Sequence, residues 1–415
     1  MVNCKSSCRL FVLFVIITLF ENICIANSDV KTIAVGNALD NRCELNLSQI
    51  AKSVEYIPLG DGRNSEALLT DSRRLFLHVD NNSDLYVFQL GRGEDLLKVF
   101  SKSGIFKSSH INHGRGPGEY TNGVKYILCE NSVLLLLDYH KILIYKNLLF
   151  EKSIDLFDFY PPDSRFVQIV LLDSCRILVG YTLNYKEYIS IFDIQTNKAG
   201  SSVLLGNIYA GPSGSIVLNG EIRQTPAVAQ YRFNKSFDQS CICASRGRDS
   251  IFAVKYNTAV PIVSPMYSID FDRYRGKSAI EDFYVGGTTI IEPGCFNNLF
   301  TESKEYLLFC VIFSLKRYPN IPQLQRFVPI VYDKVNGKTY SLKFNKKFNT
   351  VGFVNDIDGG MPFWPQYHID NCLYKFVDAA DFIKMASVSS SAKMKEIAAT
   401  LTEESNPVLV KVELK

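Results

Sequence analysis

Short apolar runs alternate with clusters of Gly, Asn, Asp and Ser along most of the chain. Residues 85–88 are followed by 97–100 and then by a turn, and residues 133–137 precede a similar run at 142–145. The apolar residues follow a period of two or form brief continuous stretches, which is typical of β-hairpins and not of amphipathic helices. The pattern therefore predicts an all-β fold.

The predicted hairpins recur at a regular spacing. Phe100, Tyr145 and Phe192 take equivalent positions about 45 to 47 residues apart, which is the length of one four-stranded β-propeller blade. A chain of this length holds about six to eight such blades, and the visible hairpins favour six. Antiparallel four-stranded blades packed radially cover one another's apolar faces. We place the blades near 68–107, 120–156, 166–206, 223–272 and 280–345, with the last from 350.

The two ends of the chain predict how the ring closes. Residues 54–57 and 408–414 both read as strands, and we expect them to pair in one composite blade. Between the last hairpin and Asn406-Pro407, residues 392–402 have helical composition. One short surface helix is therefore expected near the C-terminus.

The first residues resemble a secretory signal peptide. Lys5 and Arg9 precede an uncharged apolar run at 10–20, which is short for a membrane span, and Ala26 ends a cleavage region. We expect a signal peptide at 1–26 and a single six-bladed β-propeller domain at 27–415, the alternative being a retained anchor. A lipid anchor at Cys24 is not expected, because Ile23 replaces the small residue that lipid attachment requires. The mature chain, with no transmembrane segment predicted, is expected to be exported and either periplasmic or cell-surface associated.

The charge balance bears on nucleic-acid binding, and the cysteine content bears on disulfide formation. The 45 basic and 42 acidic residues leave a net charge of +3 without a long basic block, so nucleic acid is not an expected partner. Eight cysteines follow the leader, an even number that permits disulfides in an oxidising compartment. Their apolar surroundings favour free, buried thiols instead.

Three segments carry a resemblance to a known family. Residues 113–120 (HGRGPGEY), 47–59 and 355–365 (NDIDGGMPFWP), with the ending 406–409, occur in the order found in the bacterial exported six-bladed β-propeller family. The first segment also resembles, more loosely, the turn of NHL repeats. The resemblance implies a propeller fold and a location in the cell envelope, but no agreed activity. The chain departs from the family at Leu148-Leu149, where a turn glycine is usual, and in lacking the frequent lipid-attachment signal.

The glycine-rich and aspartate-rich segments are interpreted as structural. The first lacks the G-K-[ST] ending of a phosphate loop, and its glycines suit a tight crossing between blades in which Glu119 accepts backbone hydrogen bonds or pairs with Arg115. Asp356 and Asp358 could hold Ca²⁺ or serve acid–base chemistry, but such residues more often cap loops. No cofactor is predicted. The residues assigned to structural motifs are Gly114, Gly116, Pro117, Gly118, Glu119, Tyr120, Asn355, Asp356, Gly359, Gly360 and Trp364, and the candidate ligand-binding residues are Arg115 and Asp358.

Other candidate chemistry is sparse. His110 and His113 lack a third ligand nearby in sequence, and His140 and His368 have Asp neighbours but no G-x-S-x-G segment to place a nucleophile. Trp364 could be a sugar-stacking platform, although an apolar neighbourhood favours core packing. Tyrosines could also line a binding face, although sheets are rich in Tyr for packing reasons. These are Tyr126, Tyr139, Tyr181, Tyr185 and Tyr188.

Two functions remain open at this point. The first is a non-catalytic module of the bacterial cell envelope that binds an envelope protein, a peptide or a glycan; no catalytic or metal-binding residue is assigned to it. The alternative is a propeller enzyme, such as a metal-dependent lactonase or a glycan-acting hydrolase or lyase, with carboxylates meeting in the central channel. Sequence alone does not separate them, because channel residues come from different blades.

Overall fold

The apolar runs form antiparallel sheets that are arranged as the six blades of a β-propeller in the computed structural model. The predicted signal peptide lies outside the described residues. The structure describes residues 30–60, 62, 64–89, 96–121, 124–130, 132–184, 186–207, 215–218, 221–224, 231–235, 241–245, 250–256, 260–274, 289–291, 300–313 and 320–415.

The first described segment runs along the outside of the ring. β1 (Lys31–Ala34) pairs in parallel with the last strand of the fourth blade, and α1 (Val35–Asp40) follows directly. Ile33 is fully buried, so β1 covers a sheet edge whose backbone groups would otherwise lack partners. The chain then enters β2 (Ala51–Pro58), which belongs to the closing blade.

The first three blades follow one another along the chain. Blade 1 consists of β3 (Leu75–Val79), β4 (Leu85–Gln89), β5 (Leu97–Phe100) and β6 (Phe106–His110). Blade 2 consists of β7 (Val124–Glu130), β8 (Val133–Asp138), β9 (Lys141–Lys146) and β10 (Leu149–Asp155). Blade 3 consists of β11 (Arg165–Leu171), β12 (Arg176–Leu183), β13 (Lys186–Asp193), β14 (Lys198–Ala199) and β15 (Val203–Asn207), the last two of which both pair with β13.

Blades 4 and 5 each have an extra strand, which in blade 4 is the parallel strand β1. A separate hairpin of β16 (Ser215–Leu218) and β17 (Glu221–Gln224) precedes them. Blade 4 consists of β18 (Tyr231–Lys235), β19 (Cys241–Ser245), β20 (Ser250–Lys255) and β21 (Ile262–Asp270), together with β1. Blade 5 consists of β22 (Thr289–Ile291), β23 (Phe300–Glu302), β24 (Tyr306–Ile312), β25 (Phe327–Asp333) and β26 (Lys338–Ser341), where β22 and β23 both pair with β24.

The closing blade combines both ends of the described chain, as the sequence predicts. A short hairpin of β27 (Phe344–Asn345) and β28 (Thr350–Val351) leads to β29 (Tyr367–Ile369) and β30 (Cys372–Val377). β31 (Val408–Leu414) then pairs with β30 on one side and with β2 on the other. The strand order β2–β31–β30–β29 therefore joins residues more than 300 positions apart in one sheet.

The described core consists of six apolar clusters, one in each space between neighbouring blades. Strand β8 shows how the sequence produces this arrangement. Leu135 and Leu137 pack in the cluster between blades 2 and 3, whereas Leu134 and Leu136 pack in the cluster between blades 1 and 2. A strand covered on both faces needs no polar alternation, which explains the continuous apolar runs.

The helical content differs from the single helix that the sequence predicts. Two helices, α2 (Ala379–Val388) and α3 (Ala392–Ala398), lie between β30 and β31. The predicted helix is confirmed from Ala392, but it ends at Ala398 instead of residue 402. No described helix combines the length and the apolar character that a membrane crossing demands.

Candidate functional site

The glycine-rich segment connects β6 of blade 1 to β7 of blade 2 and folds against its own glutamate. Glu119 accepts a hydrogen bond from the Gly116 amide at 2.7 Å, the first of the two predicted alternatives. A Cβ atom at Gly114 would lie 2.0 Å from the Glu119 carboxylate, and Gly118 has φ of +77°. Gly118 therefore requires glycine, whereas a side chain at position 114 would displace the Glu119 carboxylate from this contact. The Tyr145 hydroxyl donates to the Gly118 carbonyl at 2.7 Å, which fixes the segment against blade 2.

Asp358 lies at the centre of a second internal network. Its Oδ1 accepts hydrogen bonds from Asn355 Nδ2 at 2.7 Å, from the Gly360 amide at 3.0 Å and from the Tyr56 hydroxyl at 3.2 Å. Its Oδ2 accepts from the Ser391 hydroxyl at 2.7 Å. Both carboxylate oxygens therefore serve protein groups, from β2, from the segment itself and from the start of α3.

The other members of the aspartate-rich segment also make internal contacts. Asp356 accepts from the Ser48 amide at 2.9 Å and from the Ser48 hydroxyl at 2.5 Å, at the start of a short 3₁₀ turn. The Gly359 carbonyl accepts from the Ser389 hydroxyl at 2.9 Å. Trp364 is 7% exposed and stacks on Phe353 with ring centroids 5.9 Å apart. The tryptophan therefore packs in the core and offers no exposed platform.

The remaining candidate side chains are dispersed. His110 contacts the Ser108 hydroxyl, and His113 contacts the Thr121 carbonyl. Tyr181 and Tyr188 stack on each other within blade 3. In the described parts of the chain, no three His, Cys, Asp or Glu side chains are grouped so that they could hold a metal ion. Arg115 is exposed on the glycine-rich segment, and Tyr139 is exposed in blade 2, whereas Tyr185 and the side chain of Tyr126 lie outside the described residues.

Six cysteines have described side chains, and none of these six forms a disulfide bond. Cys241, Cys243 and Cys310 are buried, which agrees with the expectation of thiols packed in strands. Cys43, Cys175 and Cys372 are half-buried. The side chain of Cys129 and the whole of Cys295 lie outside the described residues.

A cleft of about 540 Å³ opens between blade 5 and the closing blade. We call it the inter-blade cleft. Its volume lies in the range of small-molecule sites. Four chain segments contribute to it: residues 49–50 at the entry to β2, residues 301–308 from β23 through its turn to β24, residues 368–373 from β29 through its turn to β30, and residues 414–415 at the end of β31. The residues that line it are Gln49, Ile50, Thr301, Ser303, Lys304, Glu305, Tyr306, Leu308, His368, Asp370, Asn371, Leu373, Leu414 and Lys415.

Two cross-strand pairs form opposite walls of the inter-blade cleft. Thr301 on β23 pairs with Leu308 on β24, and His368 on β29 pairs with Leu373 on β30. Directly opposite residues share a sheet face, so each wall presents one polar and one apolar side chain. Leu308 and Leu373 also belong to the apolar cluster between these blades. The cleft is therefore the place where that cluster gives way to polar groups.

His368 connects the two walls. Its Nδ1 lies 3.0 Å from the Glu302 carbonyl oxygen on the neighbouring blade. A carbonyl only accepts, so Nδ1 carries the proton. Burial lowers the pKa of His368, although the carbonyls of Glu302 and Asp370 and the Asp370 charge favour the protonated ring. The ring is therefore neutral at neutral pH.

Charged residues surround the mouth of the inter-blade cleft and support its inner wall. Lys304, Glu305, Asp370 and Lys415 are exposed at the mouth, two of each sign. Behind the wall, Lys334 forms an ion pair with the almost fully buried Glu302 at 2.6 Å. Lys334 also donates to the Ser303 carbonyl at 2.7 Å, which fixes the turn that carries the cleft residues.

The arrangement can bind a small molecule that has an apolar surface and hydrogen-bonding groups. Ile50, Leu308 and Leu373 are at most 6% exposed and supply the apolar part. The sequence indicates His368 and Asp370 as neighbouring polar residues without a predicted role. It does not indicate that Thr301 and Tyr306 line a cleft. Because the lining comes from four separate segments, no local motif marks it.

The comparisons with known proteins support the fold. The family model described as "Domain of unknown function (DUF4934)" matches residues 30–413. No curated protein matches the chain. A solved structure from Bacteroides fragilis NCTC 9343, whose name describes it as an exported protein, aligns with a TM-score of 0.62 at 16% identity. That alignment covers 90% of this chain and 98% of the other.

Two further solved structures are more distant. A protein of unknown function from Bacteroides caccae has a TM-score of 0.34 and 11% identity, covering 70% of this chain and 81% of the other. A luciferin-regenerating enzyme has a TM-score of 0.38 and 8% identity, covering 90% of this chain and 96% of the other. Similarity at this level carries no argument about the activity of this chain.

Proposed function

The chain belongs to the DUF4934 family, and we propose that this six-bladed propeller is a non-catalytic binding module of the bacterial cell envelope. Its ligand is a small molecule, or the end of a larger one, that enters the inter-blade cleft. The single observation that carries the proposal is the cleft itself, about 540 Å³ between blade 5 and the closing blade. An apolar floor with a few convergent polar groups is the usual composition of a ligand site.

The glycine-rich and aspartate-rich motifs have a structural role in this proposal. The Glu119 carboxylate is engaged by the backbone of its own segment, and both oxygens of Asp358 accept hydrogen bonds from protein groups. A carboxylate with its acceptor sites occupied has little capacity left for a ligand. We therefore assign ligand binding to the inter-blade cleft and not to Arg115 or Asp358.

The location in the envelope rests on two supports. The sequence predicts a signal peptide at 1–26 ahead of a single propeller domain at 27–415, and the Bacteroides fragilis neighbour is named as an exported protein. Binding partners in this location would be an envelope protein, a peptide or a glycan. The enzyme alternative, a lactonase or a glycan-acting hydrolase or lyase, has no specific observation in its favour among the described residues.

A thermal-shift screen with a blocked-cleft variant tests the proposal. A ligand that binds only the folded state stabilises it, by about 2.7 kcal/mol when the ligand concentration is a hundred times Kd. This stabilisation appears as a higher melting temperature. Gln49 is exposed at the mouth of the inter-blade cleft, so Gln49→Trp fills the mouth without disturbing the core. We expect peptides or glycans that stabilise the parent protein to lose their effect in this variant.

Lys346→Trp is the matched control, because Lys346 is exposed on the β27–β28 turn and does not line the cleft. Ligand shifts should persist in this variant. Shifts that survive in Gln49→Trp and in a second blocked variant, Lys304→Trp, would show that the ligand binds elsewhere. Chemical conversion of a bound ligand would contradict the non-catalytic assignment.

A further inference from the structure

We propose that the inter-blade cleft is selective for a neutral carbohydrate and that the Thr301 hydroxyl hydrogen-bonds to a sugar hydroxyl. This inference rests on the proposed function, because it names the ligand class of the same cleft. Four features of the described residues support it: an unused hydroxyl, a wall built from sheet faces, an apolar and aromatic floor, and balanced charge at the mouth.

Thr301 has a hydroxyl that makes no hydrogen bond to the described residues. The residue is 6% exposed, lies at the centre of the short strand β23 and lines the inter-blade cleft. Within the described residues its side chain makes no hydrogen bond. Thr301 lines the cleft, so its hydroxyl is available to a ligand that both donates and accepts. A sugar hydroxyl has this dual character.

The walls of the cleft favour recognition by side chains. Thr301 and His368 project from the faces of two sheets, whereas the backbone groups of β23 and β29 point along the sheets. β23 and β29 each pair with a single described strand, so an extended peptide that adds a strand would lie along their free edges and not between the two walls. A compact ring with hydroxyls around its edge fits between such walls better than an extended backbone.

The floor and the mouth exclude strongly charged ligands. Tyr306 and Leu308 offer an aromatic and an aliphatic surface, and the C–H face of a pyranose ring can pack on such a surface. At the mouth, two lysines stand against one Asp and one Glu, so no net charge attracts an ion. The inner polar groups, a hydroxyl and a neutral imidazole, are likewise uncharged.

Isothermal titration calorimetry of the full mature chain tests the inference with three sets of probes. These are neutral mono- and disaccharides of glucose, galactose and N-acetylglucosamine, the matched uronic acids, and neutral tripeptides. Thr301→Val removes the hydroxyl at nearly constant shape, Thr301→Ser keeps it, and Thr350→Val on β28 is the control away from the cleft.

We expect a neutral saccharide to bind the parent protein, Thr301→Val to weaken that binding about tenfold, and Thr301→Ser to restore it. The melting temperature of unliganded Thr301→Val should not fall, because the hydroxyl makes no hydrogen bond to the described residues. A purely structural role for Thr301 would give the reverse result, with reduced stability and unchanged affinity.

The two proposals fail in different ways. If uronic acids or tripeptides bind, neutral saccharides do not, and Gln49→Trp abolishes the binding, the proposed ligand class is wrong. The inter-blade cleft would still be a binding site. A neutral saccharide that binds Thr301→Val and the parent equally would overturn the role of Thr301. Ligands that bind every cleft variant with the same affinity as the parent protein would overturn the proposed function itself.

Discussion

At the residue scale, a single lysine tests how much free energy is lost when a charged group is buried between blade 5 and the closing blade. Lys375 is half-buried on β30, between Tyr374 and Phe376 in sequence, and pairs with Val410. Burial lowers its pKa to about 8, and the charge of Asp381 offsets this shift only in part. The protonated amine therefore costs the folded state free energy.

We predict that Lys375→Met stabilises the protein at pH 7 by about 1–3 kcal/mol, because a tenfold change in proton affinity corresponds to about 1.4 kcal/mol. The parent should gain stability as the pH rises from about 8 to 10.5, where the unfolded chain binds more protons than the folded one, and the variant should lack this slope. Urea unfolding at several pH values measures both effects.

Lys384→Met on α2 is the control for this prediction, because Lys384 is exposed. It should leave both stability and slope nearly unchanged. A loss of stability in Lys375→Met at pH 7 would show that the amine has favourable contacts that outweigh its burial.

Residue chemistry also marks where sequence reasoning reaches its limit. The glycine expected near Leu148 is absent, and the structure shows Asn147 at φ +49° and Leu148 at φ +63°. Both central residues of this two-residue turn are left-handed, as the common hairpin geometry requires. The sequence predicts the hairpin correctly but not the turn type, because Leu rarely adopts this conformation.

At the element scale, α3 shows how one carboxylate connects distant parts of the chain. Ser391 caps the helix by accepting a hydrogen bond from the Met394 amide at 3.1 Å, while its hydroxyl donates to Asp358 at 2.7 Å. Tyr56 on β2 donates to the same carboxylate. The cap, the aspartate-rich segment and the closing strand therefore depend on one another.

We predict that Asp358→Ala lowers the free energy of unfolding by about 2–3 kcal/mol, because half-buried donors lose their acceptor. Ligand affinity at the inter-blade cleft should not change, since Asp358 is not part of its lining. Urea unfolding and calorimetry on the same preparation separate the two effects. Glu396→Ala, an exposed change on α3, is the control, and a selective loss of affinity in Asp358→Ala would restore Asp358 as a ligand-binding residue.

The helices show why strands are easier to predict here than helices. Strand patterns repeat in every blade, whereas α2 occurs once and begins without a side-chain cap. Asp378, at its cap position, instead accepts from the Ser72 amide at 3.0 Å and from the Ser72 hydroxyl at 2.9 Å. The Asp378 side chain, which would normally mark the start of a helix, therefore binds Ser72 on a distant part of the chain instead. α3 has a cap in Ser391, and its start is predicted correctly.

At the scale of the whole molecule, the ring follows from the sequence while the inter-blade cleft does not. Each blade needs a neighbour on both faces, so the apolar runs at residues such as 134–137 already require radial packing. Thr301 and His368, in contrast, are single polar residues on separate short strands. Only the packing of blade 5 against the closing blade places them opposite one another, and no spacing in the sequence encodes that distance.

The stability of the closed ring should depend on pH through His368, which bonds across two blades to the Glu302 carbonyl. Burial lowers its pKa from the ordinary 6.5, against the opposing effects of Glu302 and Asp370. The unfolded chain then binds more protons than the folded one between the folded pKa and about 6.5, so stability falls as the pH drops through this window. The other charged groups at the cleft are Lys304, Glu305 and Lys415.

We predict that His368→Asn, which keeps a side-chain donor for the Glu302 carbonyl but does not titrate, loses less stability between pH 7.5 and 5.5 than the parent does. Urea unfolding at pH 7.5, 6.5 and 5.5 measures the difference, and His113→Asn, at an exposed position of the glycine-rich segment, corrects for a general effect of removing an imidazole. Because His368 connects blade 5 to the closing blade, its protonation acts on the contact between these two blades. Parallel stability profiles for the parent and His368→Asn would show that this contact carries no pH dependence.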